Sequence, residues 1–180
     1  MNPGNIQGAP HLPHVLGFAG HRSVKNPGHL RKVIVDEIHA HLRIHGDQAI
    51  CYSSAAAGAD LVFLDAAATL GCTSWVILPF PASRFAEDFE SPAEWEKARA
   101  FMQSADWHGT LTPDPAEPPA ENEYQFAARR ILRVAGQMLF YWDGQPARGP
   151  GGTAETIDDA IRENIPARII NADTLAITTT

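Results

Sequence analysis

Cysteine is scarce in this chain and carries no pattern: Cys51 and Cys72 are the only two in 180 residues, with no CxxC spacing. That excludes a disulfide framework and a cysteine-based zinc site. Both lie in apolar stretches and read as buried thiols in a reducing cytoplasm. Long apolar runs are missing as well. No segment approaches the roughly 20 apolar residues of a membrane span, and Met1 to His14 show no basic region followed by an apolar stretch. The expectation is a cytoplasmic protein with no membrane partner. Cations are in deficit, 14 Lys and Arg against 21 Asp and Glu, for a formal charge of -7. Binding of long nucleic acid depends on neutralising many phosphates with Lys and Arg, so this balance argues against it. A small anion in one locally positive pocket remains compatible. No cofactor is indicated.

A hydrophobic fraction of 44% over this length suffices for one domain with its own core. Val15 to Ala19 reads as a buried strand. A helix follows, announced by Asn26-Pro27, with Leu30, Ile34, Ile38 and Leu42 on one face and Gly46 at its end. Ala49 to Tyr52 is a second strand, and Ser53 to Asp60 leads into a helix of small residues that stops at Gly71. Ser74 to Leu78 is the third. Glu94 to Met102 reads as a helix, Thr110 to Thr112 as an edge strand, and Pro113 to Glu121 as a proline-rich lid or rim. A helix from Asn122 to Ala135, a strand from Met138 to Trp142, a helix from Thr153 to Asn164 and a strand from Ala167 to Ile170 complete the order. Alternating strands and helices predict an α/β fold, a Rossmann-like three-layer sandwich with a mostly parallel sheet and helices on both faces. The single domain spans 15–172, with 1–14 as a flexible N-terminal segment and 173–180 as a tail outside the core.

In such sheets ligands bind beyond the C-terminal ends of the strands, where strand order reverses. Gly20, His21 and Arg22 follow the first strand, Ser53 and Ser54 the second, and Asp143 with Gly151-Gly152-Thr153 a later one. Glycines let the backbone approach an anion, and a helix start aims N–H groups and partial positive charge at it. The reading is a nucleotide pocket. Thr153 is the expected N-cap, and Glu155 is suited either to balancing the helix dipole or to gripping a ribose hydroxyl.

Gly17-Phe18-Ala19-Gly20-His21-Arg22, Ser53-Ser54-Ala55-Ala56-Ala57-Gly58-Ala59-Asp60, Leu78-Pro79-Phe80-Pro81, Trp142-Asp143-Gly144 and Gly151-Gly152-Thr153-Ala154-Glu155 occur in an order that resembles the SLOG superfamily. That Rossmann-like group contains the LOG phosphoribohydrolases, DNA-processing protein A and nucleotide-sensing domains of bacterial defence systems. The resemblance runs from Val15 to about Ile170. It implies a nucleotide or nucleotide-derived ligand, with phosphate on the glycine-rich helix start and sugar near Glu155, and it implies a homodimer. The hydrolases carry proline, two glycines, any residue, glycine, threonine, any residue and two glutamates. Here Pro150-Gly151-Gly152-Thr153-Ala154-Glu155-Thr156 lacks the inserted pair, and Thr156 replaces the second glutamate. The match is closer to a ligand-binding, sensing branch. The alternative is an N-glycosidic hydrolase of nucleoside monophosphates, or a deoxyribosyltransferase-like enzyme, with Glu155 as the catalytic residue.

Individual residues leave choices open. Arg22 suits either bidentate phosphate contact or a salt bridge to a neighbouring helix. His21 is a ligand contact or a hydrogen-bonded rim residue. Asp60 reads as a helix-capping carboxylate ahead of a ligand contact, and Asp143 as holding the loop or meeting a sugar hydroxyl. Tyr124 packs or stacks on a base. Arg129, Arg130 and Arg133 form a basic stretch whose first and last members share a face, for an anion, solvent or a dimer contact. His41 and His45 have i, i+4 metal spacing but no third ligand to match, which favours a solvent face. Ser53 and Ser54 lack a GxSxG setting, which favours polar contacts over nucleophilic roles.

Overall fold

In the computed structural model, residues 11–111, 120–147 and 149–180 are described. Residues 1–10 of the expected N-terminal segment 1–14, and residues 113–119 of the proline-rich lid expected at Pro113 to Glu121, lie outside them. Among the described residues, seven strands form one sheet: β1 (Leu12–Gly20), β2 (Ile50–Ser53), β3 (Thr73–Ile77), β4 (Trp107–Gly109), β5 (Ala135–Trp142), β6 (Ala167–Asn171) and β7 (Ile177–Thr179). Their spatial order is β4-β3-β2-β1-β5-β6-β7. All neighbours pair in parallel except β6 with β7. The helices are α1 (Pro27–His45), α2 (Ala59–Thr69), the single turn α3 (Ala82–Phe85), α4 (Pro92–Ser104), α5 (Glu123–Val134) and α6 (Thr153–Arg162).

Strand alternation divides the apolar residues between two cores, as the period of two requires. Leu16, Phe18, Cys51, Val76 and Leu139 face α1, α2 and α4, whereas Val15, Tyr52, Trp75, Met138 and Phe140 face α5 and α6. Phe18 stacks on Phe63 of α2 at 4.6 Å between ring centroids, and Tyr52 meets Trp75 edge-on at 5.8 Å. Full burial of an aromatic of this size contributes about 1.5–3 kcal/mol. This is the expected Rossmann-like α/β sandwich.

Several boundaries differ from the sequence reading. β1 begins at Leu12, inside the segment expected to lie free of the core. The edge strand is Trp107–Gly109; of the expected Thr110 to Thr112, Thr110 and Leu111 are not in a strand and Thr112 lies outside the described residues. The C-terminal tail is not outside the sheet. Asn171 Oδ1 accepts from the Asp173 and Thr174 amides at 3.0 and 2.9 Å, folding the chain back so that β7 pairs antiparallel with β6. His41 is no solvent residue either. It is 3% exposed, with Nε2 2.9 Å from the carbonyl of His14, and burial lowers its pKa, so a neutral ring donates to that carbonyl.

Candidate functional site

Chain order reverses at one place in the sheet. From β1 the chain steps through β2 and β3 to β4 on one side, and from β5 through β6 to β7 on the other, with β1 and β5 adjacent. The loops leaving β1 and β5 therefore diverge and leave a crevice between them. A cleft of about 860 Å³ opens there, lined by Gly20, His21, Arg22, Ser54, Asp143, Gly151, Gly152 and Thr153 among others. Eight of the ten candidate residues thus share one cleft.

The loop after β1 is fixed at both ends of His21. Its amide donates to the Tyr141 carbonyl at 3.2 Å, and its carbonyl accepts from the Ala59 amide at 3.1 Å. The loop passes directly over the start of α2, where only glycine fits: Gly58 has φ +86°, and a Cβ there would lie 1.9 Å from the Arg22 carbonyl oxygen. The His21 ring meets Asp143 across the switch point, Nε2 to Oδ1 at 3.0 Å. The same Asp143 oxygen accepts from the Gln145 amide at 2.9 Å, so Asp143 holds the loop after β5 as well as the imidazole.

Arg22 donates to the Asp88 carbonyl at 3.1 Å and approaches the Asp88 carboxylate at 4.0 Å. Its guanidinium lies 5.9 Å from the centre of the Tyr124 ring, and the Tyr124 hydroxyl donates to Asp88. Tyr124 packs edge-on against Phe80 at 5.3 Å, and its ring still borders the cleft. Lys25 also lines the cleft and pairs with Asp173, and that carboxylate raises its pKa. Sequence reasoning missed Lys25, Asp88 and Asp173. Lys25 had one signal, its place three residues after Arg22. The two aspartates had none, because their roles depend on tertiary approach.

Two candidates stand apart from the cleft surface. Ser53 is fully buried and donates to Asp60 Oδ2 at 3.0 Å. Ser54 donates to the same oxygen at 2.8 Å, and the Ala56 amide at 3.3 Å. Asp60 does not cap α2, whose N-cap is Gly58 with no side-chain bond. It gathers the loop after β2. Glu155 likewise does not line the cleft. One carboxylate oxygen accepts from Gln125 Nε2 and the other from the Gly151 amide at 2.7 Å.

Thr153 is not the N-cap of α6. That position belongs to Gly152, with φ -70° and ψ 159°, and no side chain among the described residues caps the helix. The start of α6, Gly151 to Thr153, therefore borders the cleft without a capping side chain among the described residues, the condition in which a helix start accepts an anion. None of Arg129, Arg130 and Arg133 lines the cleft, and Arg130 is buried. Among the described residues, no group of three or more His, Cys, Asp or Glu is placed to hold a metal. No helix among them is long and apolar enough to cross a membrane.

The strand order and the crevice at its reversal define a Rossmann-like α/β domain. In three dimensions the chain is similar to DNA processing protein A (DprA) from Streptococcus pneumoniae, with a TM-score of 0.56 and 17% identity over 91% of this chain and 52% of that one. It spans about half the length of that protein. It is also similar to the Chlamydomonas rheinhardtii Moco carrier protein, with a TM-score of 0.47 and 16% identity over 88% of this chain and 76% of that one. No protein-family model and no curated protein matches the sequence.

Proposed function

We propose that the cleft binds a nucleotide or nucleotide-derived ligand, its phosphate on Gly151, Gly152 and Thr153 and its base toward Arg22 and Tyr124. One observation carries the reading: a helix start with a glycine N-cap and no capping side chain opens onto a cleft at the sheet's switch point. The cleft volume of about 860 Å³ falls among those of small-molecule sites. The order of SLOG-like motifs supports the same ligand class, as does the fold shared with DprA. In this reading the domain belongs to the SLOG superfamily and acts as a homodimeric cytoplasmic sensor. A monomeric mass by light scattering would count against the dimer. Glu155, with both oxygens engaged by the protein, favours binding over hydrolysis.

The test combines thermal shift and chromatography in the same samples, with nucleoside mono-, di- and triphosphates, NAD and cyclic dinucleotides. The expected result is stabilisation by a ligand recovered intact, about 2.7 kcal/mol at a hundredfold excess over Kd. Gly152→Asp places a carboxylate where the phosphate sits and should abolish that stabilisation. Release of free base, lost in Glu155→Ala, would instead make the protein an N-glycosidic hydrolase. No shift with any member of the panel would remove the reading.

A further inference from the structure

Glu155 stands where the family resemblance puts a sugar-binding or catalytic carboxylate, yet its neighbours occupy it from two directions. Gln125, only 2% exposed on the first turn of α5, donates its side-chain amide to one oxygen, and the Gly151 amide donates to the other. The orientation of Gln125 is fixed independently, because its Oε1 accepts from the Glu121 amide at 2.7 Å. Asn122, the N-cap of α5, accepts from the Gln125 amide at 2.9 Å and donates to the Pro150 carbonyl at 3.3 Å. The glycine turn lies flat on this helix start: Gly151 has φ +79°, and a Cβ there would fall 2.5 Å from the Gln125 nitrogen.

We propose that Gln125 and Glu155 are positioning residues that form a clasp between α5 and the glycine turn and hold that turn in its anion-binding shape. The functional consequence rests on the ligand-binding reading above. In a capping box, the glutamate three residues into a helix reaches back to the amide of the N-cap residue. Glu155 reaches one residue further, to Gly151. The turn amide is thereby satisfied by the protein, and the first-turn amides of α6 stay aimed at the cleft. The chemistry demands a carboxylate, since two donors converge on it and glutamine offers one acceptor oxygen and one donor nitrogen. Glu155→Gln keeps the size of the side chain and must orphan one of the two bonds.

Two measurements on the full chain test the clasp. The first is amide hydrogen exchange at Gly151 without ligand, where Glu155→Gln should raise the rate at least about tenfold, the loss of one hydrogen bond. The second titrates inorganic phosphate and a nucleoside 5′-monophosphate in parallel. Glu155→Gln and Gln125→Ala should each weaken both probes by the same factor, about tenfold, and the double variant should be no weaker than the worse single one. Unchanged exchange at Gly151 would overturn the clasp. So would a loss confined to the nucleotide, which marks a direct sugar contact by Glu155. If the wild type binds neither probe, the ligand-binding reading fails, and the exchange result still decides whether the clasp exists.

Discussion

Asp60 carries a burden that its three donors only partly offset. It is 3% exposed, and burial pushes its pKa from the ordinary 3.8 up to about 6, against the opposing hydrogen bonds from Ser54, Ser53 and the loop backbone. A carboxyl with a raised folded-state pKa contributes stability that is fully present below its unfolded value. That contribution is lost as pH rises through about 6. An asparagine at this position keeps an acceptor for the three donors, all of which converge on Oδ2, and removes the buried charge. The stability of Asp60→Asn relative to the native protein is therefore expected to rise by about 2–3 kcal/mol between pH 4 and pH 8. Urea unfolding at the two pH values checks this, and an equal change at both would show that the charge is not the cause. The sequence placed Asp60 at a helix start, where a cap is the local expectation. Its actual work depends on the loop from Ser53 to Ala56 folding back over it, which no spacing reveals.

Elements were legible where periodicity spoke and illegible where the decision was tertiary. The face of α1 followed from Leu30, Ile34 and Ile38 at helical spacing, all fully buried, and Asn26-Pro27 marked its start. The fourth turn of that stripe was shared differently: His41 is buried and Leu42 only partly so. His41 is held by the His14 carbonyl of a strand that begins earlier than its apolar run suggested. β7 was missed because three residues of threonine-rich tail look like a terminus until Asn171 turns them back onto β6. The same contrast gives a stability test with two glycines. At Gly28, in the first turn of α1, an added Cβ meets nothing within 4 Å, so Gly28→Ala should stabilise by up to about 1 kcal/mol. Gly58→Ala meets the Arg22 backbone at 1.9 Å in a positive-φ conformation. It should cost on the order of 3 kcal/mol and disturb the loop bearing His21 and Arg22. Equal midpoints for the two variants in denaturant would contradict the placement of the loop after β1 over the start of α2.

For the whole molecule, charge decides what a shared fold permits. One similar solved structure is named for DNA processing, and this chain spans about half of it, yet the cleft here is no cationic channel. Arg22 and Lys25 each face an aspartate, Asp88 and Asp173, and Asp60 and Asp143 add two more carboxyls to the lining. The full chain carries -7. A single-stranded oligonucleotide brings one phosphate per residue and needs a run of unpaired cations whose counterions it can exchange, whereas a small ligand needs one anion subsite, the role proposed for the α6 start. Fluorescence anisotropy with a labelled oligonucleotide should stay flat even at about 50 mM salt, where phosphate-driven binding is strong. Inorganic phosphate or a mononucleotide should bind under the same conditions with a shallow salt slope, because a helix start contributes partial charges and few displaced counterions. Micromolar oligonucleotide binding that weakens steeply with salt would require a cationic surface outside the cleft and would transfer the ligand reading from a small molecule to a strand.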